Sequence, residues 1–205
     1  MKLNDVLTRR IYQVVELIPD SYLERLKPLA IFGREAPLEV DLGCGDGSFL
    51  SAMAQETPAH DFLGVERLAG RVRSASHKAT ELQNVRVLRV ETSYAVQYLM
   101  PENSVPTFHL LFPDPWPKRR HQHRRIVTTE FLASIEAALV SEGSLRVVTD
   151  QLDYFEQIRS LAAQSSSLCD EEESDRFPLS TFERHFKNAG APIYRVVLRK
   201  VSPVR

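Results

Sequence analysis

Cysteine is nearly absent from these 205 residues: Cys44 and Cys169 lie far apart, no Cys-x-x-Cys pair exists, and no histidine stands at metal-ligand spacing from either thiol. That composition argues against a disulfide scaffold and a zinc module, and it fits a reducing compartment. Long hydrophobic runs are missing too. No window approaches the roughly 18 apolar residues of a membrane helix, and the opening MKLNDVLTRRIYQ carries charges throughout with no apolar signal-type stretch. The expectation is a soluble, cytoplasmic chain with no membrane segment and no metal. Charge of one sign is also lacking, since Lys and Arg number 26 against 27 Asp and Glu, for a formal net charge of −1. A polyanionic partner would therefore have to be met by a local patch.

What is present is an alternation. Short apolar runs at Leu38–Leu42, Phe62–Glu66, Val85–Val90, Thr107–Phe112, Ser144–Thr149 and Ile193–Arg199 are mostly separated by stretches with helical spacing. The pattern predicts an α/β fold, a doubly wound and mostly parallel sheet with crossover helices. The length suits one domain around one core. Residues 1–35 read as an N-terminal helical segment, because Val6, Ile11, Val14, Val15 and Ile18 recur at helical spacing before Pro19. Residues 36–205 read as the main domain. The stretch SSSLCDEEESD between Gln164 and Ser180 reads as solvated surface with room for a short edge strand.

The first of these strands runs into Asp41-Leu42-Gly43-Cys44-Gly45-Asp46-Gly47, a glycine-rich turn that opens a helix at about Ser48. Open α/β sheets bind ligands at that edge, and Gly43 and Gly45 let backbone approach a ligand closely. A dinucleotide fingerprint would need glycine where Ser48 stands, which weakens a pyrophosphate reading without removing it. Asp41 would repel a pyrophosphate and suit the cationic ammonium or sulfonium of S-adenosylmethionine. Glu66 ends the second strand, where a carboxylate can accept both ribose hydroxyls, a feature NAD enzymes share. Glu91 follows the third strand and either accepts from an adenine amino group or serves as an ordinary helix N-terminal residue.

After the fourth strand comes Phe112-Pro113-Asp114-Pro115-Trp116-Pro117. Three prolines fix φ and remove donors, so Asp114 and Trp116 are expected to be held rigidly beside the cleft. Trp116 offers a face for stacking a base, and Asp114 an acceptor for the N–H edge of guanine. Lys118-Arg119-Arg120-His121-Gln122-His123-Arg124-Arg125 follows, with five fixed cations, two histidines and no acid. Phosphate binding by Arg119, Arg120, His121, His123, Arg124 and Arg125 is the expected use. A helix is predicted to start near Arg124, where cations would oppose its dipole and invite an anion. The remaining histidines show no ligand-like spacing, and His109 in an apolar strand is expected to be a satisfied core residue.

Taken together, LEVDLGCGDG, GVER, NVRVLRVE, LLFPDPWPKRRHQHRRI, VTD and STFERHFKNAGAPIYRV resemble the bacterial tRNA (guanine-N7-)-methyltransferases over roughly residues 38 to 200. The resemblance implies a seven-stranded, Rossmann-like class I methyltransferase sheet. It implies cofactor contacts at Asp41, Glu66, Glu91 and Asp114 and substrate contacts at Lys118, Asp150, Ser180 and Glu183, with Asp114 also catalytic. Asp41 stands where the family usually has Glu, Glu91 where it has Asp, and Ser180 where it has Thr, with Thr181 the alternative contact. The implied reaction transfers methyl from S-adenosylmethionine to N7 of a guanosine in tRNA, by resemblance the variable-loop guanosine at position 46. Two other readings remain: a methyltransferase-like RNA-binding module without turnover, and a Rossmann-type oxidoreductase or small-molecule methyltransferase. A monomer and a homodimer are both open.

Overall fold

The computed structural model describes residues 15–172 and 177–201. Its centre is an eight-stranded sheet: β1 (Glu16–Leu17), β2 (Leu38–Leu42), β3 (Asp61–Glu66), β4 (Val85–Arg89), β5 (Val105–Leu111), β6 (Leu139–Thr149), β7 (Leu168–Glu171) and β8 (Tyr194–Lys200). The order is β1-β4-β3-β2-β5-β6-β8-β7. The first six strands in that order pair in parallel, and β8 runs antiparallel to both β6 and β7. The six strands read from the sequence are all present to within a few residues, and the SSSLCDEEESD stretch supplies the edge strand β7.

The helices are α1 (Pro28–Phe32), α2 (Ser48–Glu56), α3 (Ala69–Lys78), α4 (Thr92–Tyr94), α5 (Thr129–Ala138), α6 (Leu152–Ala162) and α7 (Thr181–Asn188). One core layer joins Val40, Leu42, Phe108, Leu110, Leu145 and Val147 to Phe131 and Ile135 of α5 and Ile158 of α6. The other packs Phe49, Leu50 and Met53 of α2 and Val72 and Ala75 of α3 against Phe62, Val85 and Val87. Both faces of these strands are covered, so even their polar positions Glu39, Asp41 and His109 are buried.

Three local expectations change. Within the stretch expected to be helical at the N-terminus, Glu16–Leu17 instead pairs with Val87–Leu88, adding a strand to the seven implied. Residues 1–14 of that segment lie outside the described residues. The basic run forms a 3-10 turn over Arg119–Arg124, and the next helix begins at Thr129, capped by the Thr128 hydroxyl accepting from the Phe131 N–H at 3.2 Å. The cations therefore do not sit on a helix N-terminus, and the dipole argument for an anion does not apply. Buried Val127 explains the shift: the chain must dive into the core before the helix can start.

Candidate functional site

The strand order reverses between β2 and β5, the place where open α/β sheets leave a crevice at the strand carboxyl ends. A cleft of about 730 Å³ opens there, walled by the 42–43 turn, the ends of β3 and β5, the start of α4, the 112–116 loop and α5. Gly43, Glu66, Glu91, Asp114, Trp116, Arg124 and Arg125 of the expected site all line it. So do Arg67, Leu68 and Arg71 at the α3 rim and Glu130 and Ser134 of α5, which sequence reading did not pick out.

The floor is built by the glycine turn. Gly43 and Gly45 adopt left-handed φ of 78° and 58°, and a Cβ on Gly43 would meet nothing within 4 Å, leaving open backbone toward the cleft. Gly47 has another job, because its Cβ would stand 2.7 Å from Cα and Cβ of Ala75, where α2 meets α3. Glu66 is 4% exposed; its Oε1 accepts from the Leu68 N–H at 2.8 Å and its Oε2 lies 3.8 Å from Arg71. Glu91 caps α4 by accepting from the Tyr94 N–H at 2.8 Å and lines the cleft as well, so both of its expected uses are structurally compatible.

Asp41 lies below the cleft, 3% exposed, and is not among its lining residues. The register sets it beside His109 on β5, which in turn sits beside Arg146 on β6. Burial pushes the Asp41 carboxyl up from 3.8 to about 7, against the pull of Arg146 and with the push of Glu66. Two residues earlier on the same face, Glu39 accepts from His60 at 2.6 Å and pairs with His109 at 2.8 Å. Burial alone would raise Glu39, but the two histidines outweigh it and hold the carboxyl below its usual range. His109 is thus a core residue as expected, with its Nε2 paired to Glu39. The alternation of Leu38, Val40 and Leu42 with Glu39 and Asp41 was the sequence signal for a polar row on one face.

The loop carrying Asp114 is strained on both sides. Phe112 has φ of 50° and Trp116 φ of 41°, each costing on the order of 1–3 kcal/mol for a non-glycine residue. Three contacts hold it: the Phe112 N–H donates to Val148 O at 2.7 Å, the Phe112 ring stacks on Phe186 of α7 at 5.1 Å, and Arg125 Nε donates to Pro115 O at 2.7 Å. Asp114 itself is exposed at the cleft. Trp116 lines the cleft with Arg124 over its ring at 5.0 Å and His121 edge-on at 6.0 Å, so a cation already covers part of the surface expected to receive a base.

Lys118, Arg119, Arg120, His123 and Arg124 are exposed and His121 half-buried. Arg125 differs from these: it borders the cleft but is 4% exposed, its donors held inside the protein. Outside the cleft lie Asp150, which accepts from Gln151 at 2.7 Å, and the α7 set. Ser180 is buried and accepts from the Glu183 N–H at 3.1 Å as the cap of α7, whereas Thr181 is exposed. Glu183 is 1% exposed, pairs with Arg195 through Oε1, and leaves Oε2 without a hydrogen-bond partner among the described residues. Phe182 and Phe186 bring α7 against Phe112, which connects this set to the Asp114 loop.

The family profile described as "Putative methyltransferase" matches residues 35–196. A tRNA (guanine-N(7)-)-methyltransferase of Thermotoga maritima is 34% identical over 84% of this chain and 56% of its own length. Namesakes from Psychromonas ingrahamii and Methylococcus capsulatus are each 32% identical over 84% of this chain, and over 74% and 79% of their own lengths. The chain belongs to the tRNA (guanine-N(7)-)-methyltransferase family. The chain thus spans little more than half of the Thermotoga relative's length and about three quarters of the other two. Membership in this methyltransferase family sets aside the oxidoreductase reading. Solved structures add the fold: the 16S rRNA methyltransferase KamB superposes with a TM-score of 0.61 at 14% identity, covering 83% of this chain and 90% of that one. The antibiotic-resistance methyltransferase Kmr gives 0.58 at 16% identity, covering 86% and 91%. Among the described residues no helix is long and apolar enough to cross a membrane, and no cluster of His, Cys, Asp and Glu could hold a metal ion.

Proposed function

We propose that this chain methylates N7 of a guanosine in tRNA, by family resemblance the variable-loop guanosine, with S-adenosylmethionine as donor. The observation that carries the reading is Asp114, presented to the cleft by a proline-locked, strained loop whose other flank is the exposed basic turn. The residues fit the donor: Gly43 leaves open backbone, Glu66 offers a buried carboxylate for ribose hydroxyls, Glu91 lines the cleft with a carboxylate that would accept from an adenine amino group, and Asp41 supplies an acidic group under the turn for a cationic one. When bound, S-adenosylmethionine supplies an electrophilic methyl group.

Guanine N7 carries an in-plane lone pair and no proton at neutral pH. It would form the new N–C bond as the methyl–sulfur bond breaks and the electron pair stays on the departing thioether, so no residue has to act as a base and alignment dominates. The product ring gains a positive charge. Asp114 is assigned to stabilise that charge and to align the purine, while Lys118, Arg119, Arg120, His121, His123 and Arg124 hold RNA phosphates. Lys118, Asp150, Thr181 and Glu183, with Ser180, are assigned to the substrate side.

The test is methyl transfer by the full chain to tRNA transcripts, mapped by reduction, aniline cleavage and primer extension. Cleavage at a variable-loop guanosine is expected; tRNA binding without any transfer would establish the binding-module alternative. Asp114→Asn should keep cofactor affinity while single-turnover methylation drops by on the order of 100-fold or more. Near-normal single-turnover methylation in that variant would remove Asp114 from the chemistry.

A further inference from the structure

Arg125 stands at the end of a basic run, yet its side chain is inside the protein, and an arginine is expensive to bury unless each donor is met. Each of its three nitrogens donates, and the acceptors come from two separated pieces of chain, the Asp114 loop and α6. Nε donates to Pro115 O at 2.7 Å, Nη1 to Gln157 Oε1 of α6 at 2.6 Å, and Nη2 to Asp153 Oδ2 of α6. The guanidinium also lies over the ring of buried Tyr154 at 4.6 Å, and the Tyr154 hydroxyl accepts from the Val127 N–H at 3.2 Å. A planar fork of five donors can serve three acceptors and a ring face at once, which an ammonium cannot.

Pro115 O is the carbonyl of the peptide that joins the residue after Asp114 to Trp116. The prolines at 113, 115 and 117 have no N–H, and among the described residues no backbone hydrogen bond is made within 113–117. The loop must therefore be held from outside. The same Asp153 Oδ2 also accepts from Gln122 Nε2 of the basic turn at 3.3 Å, so one anchor on α6 serves both the basic turn and the Asp114 loop.

We propose that Arg125 is a positioning residue that ties the Asp114 loop and the basic turn to α6, fixing Asp114 at the cleft rather than contacting RNA. The proposal rests on the assignment of Asp114 above, and its test separates the two. Trp116 is the chain's single tryptophan and sits in the loop, so its fluorescence reports loop order without any methyl transfer.

The variants are Arg125→Lys, which keeps the charge and loses the fork, and Gln157→Met, which removes one anchor and leaves the arginine. Expected for Arg125→Lys are a folded protein by far-UV circular dichroism, red-shifted and more acrylamide-quenched Trp116 emission, S-adenosylmethionine affinity within about threefold, and an unchanged salt slope of tRNA binding. Single-turnover methylation should fall by on the order of 10- to 100-fold, the scale of a small misplacement of a reacting group, and Gln157→Met should follow in the same direction with a smaller change. In an Asp114→Asn background, Arg125→Lys should cost little more. Unchanged Trp116 emission in both variants overturns the proposal whether or not the chain methylates tRNA. A salt slope lowered by about one phosphate contact makes Arg125 an RNA ligand and overturns it too. So does full additivity with Asp114→Asn, which would mean that Arg125 does not act through Asp114.

Discussion

Replacing Asp41 by asparagine isolates the cost of holding a carboxyl under the glycine turn. The side chain is 3% exposed and burial raises its pKa from 3.8 to about 7. Between those values the folded chain keeps a proton that the unfolded chain has released. The stability contribution is therefore complete below about pH 4 and lost as pH rises through 7. At about 1.4 kcal/mol per pH unit of that interval, the ionised carboxylate costs the ligand-free fold on the order of 4 kcal/mol by pH 8. The asparagine side chain would fill the same space and cannot ionise. Urea unfolding of the ligand-free protein at fixed ionic strength, from pH 4 to pH 8.5, should show wild type losing stability relative to Asp41→Asn across this window. Groups that titrate alike in both proteins cancel in the difference. The same carboxylate should be repaid by a cationic ligand, so the wild-type affinity for S-adenosylmethionine should weaken by up to about tenfold per pH unit below 7, while that of the variant is low and flat with pH. A stability difference that does not change with pH would refute the reasoning, because it would mean that Asp41 is not protonated in the ligand-free fold.

Two further outcomes follow from the geometry. Gly47→Ala places a Cβ 2.7 Å from Ala75 at a φ of 76°, so overpacking should lower stability by about 1–3 kcal/mol with strain adding about 1–2 kcal/mol, measured by denaturant midpoint; a wild-type midpoint would show that the α2–α3 contact is loose. Arg119→Gln with Arg120→Gln should reduce the slope of log K for tRNA against log salt by about 1.4 to 1.8, and an unchanged slope would take these exposed cations out of the RNA contact.

Much of the fold was legible because it follows from local pattern. Val40, Leu42, Phe108 and Leu110 recur at every second position and share one buried face, a strand period visible in the sequence. The glycine turn and the Phe112–Trp116 loop were visible because glycine and proline set backbone torsions from within their own residues. The two-residue strand at Glu16 was not visible, since it owes its conformation to Val87 and Leu88 some 70 residues away. Nor was the start of α5, which the burial of Val127 moved past the basic run.

The sequence alone therefore determined the α/β class, the position of the cleft turn and the rigid placement of an acid beside an aromatic. Tertiary structure alone decided the destination of each charge. Arg124 and Arg125 are neighbours of identical chemistry and both border the cleft, yet one lies exposed over Trp116 and the other is buried and tied to α6. A long cationic side chain goes where acceptors converge, and those acceptors, Pro115, Asp153 and Gln157, are brought together by the fold. Asp41 is the same case in reverse: its residue type suggested a charge for a cationic ligand, and its depth in the sheet decided that the ligand-free fold holds it with a pKa near 7.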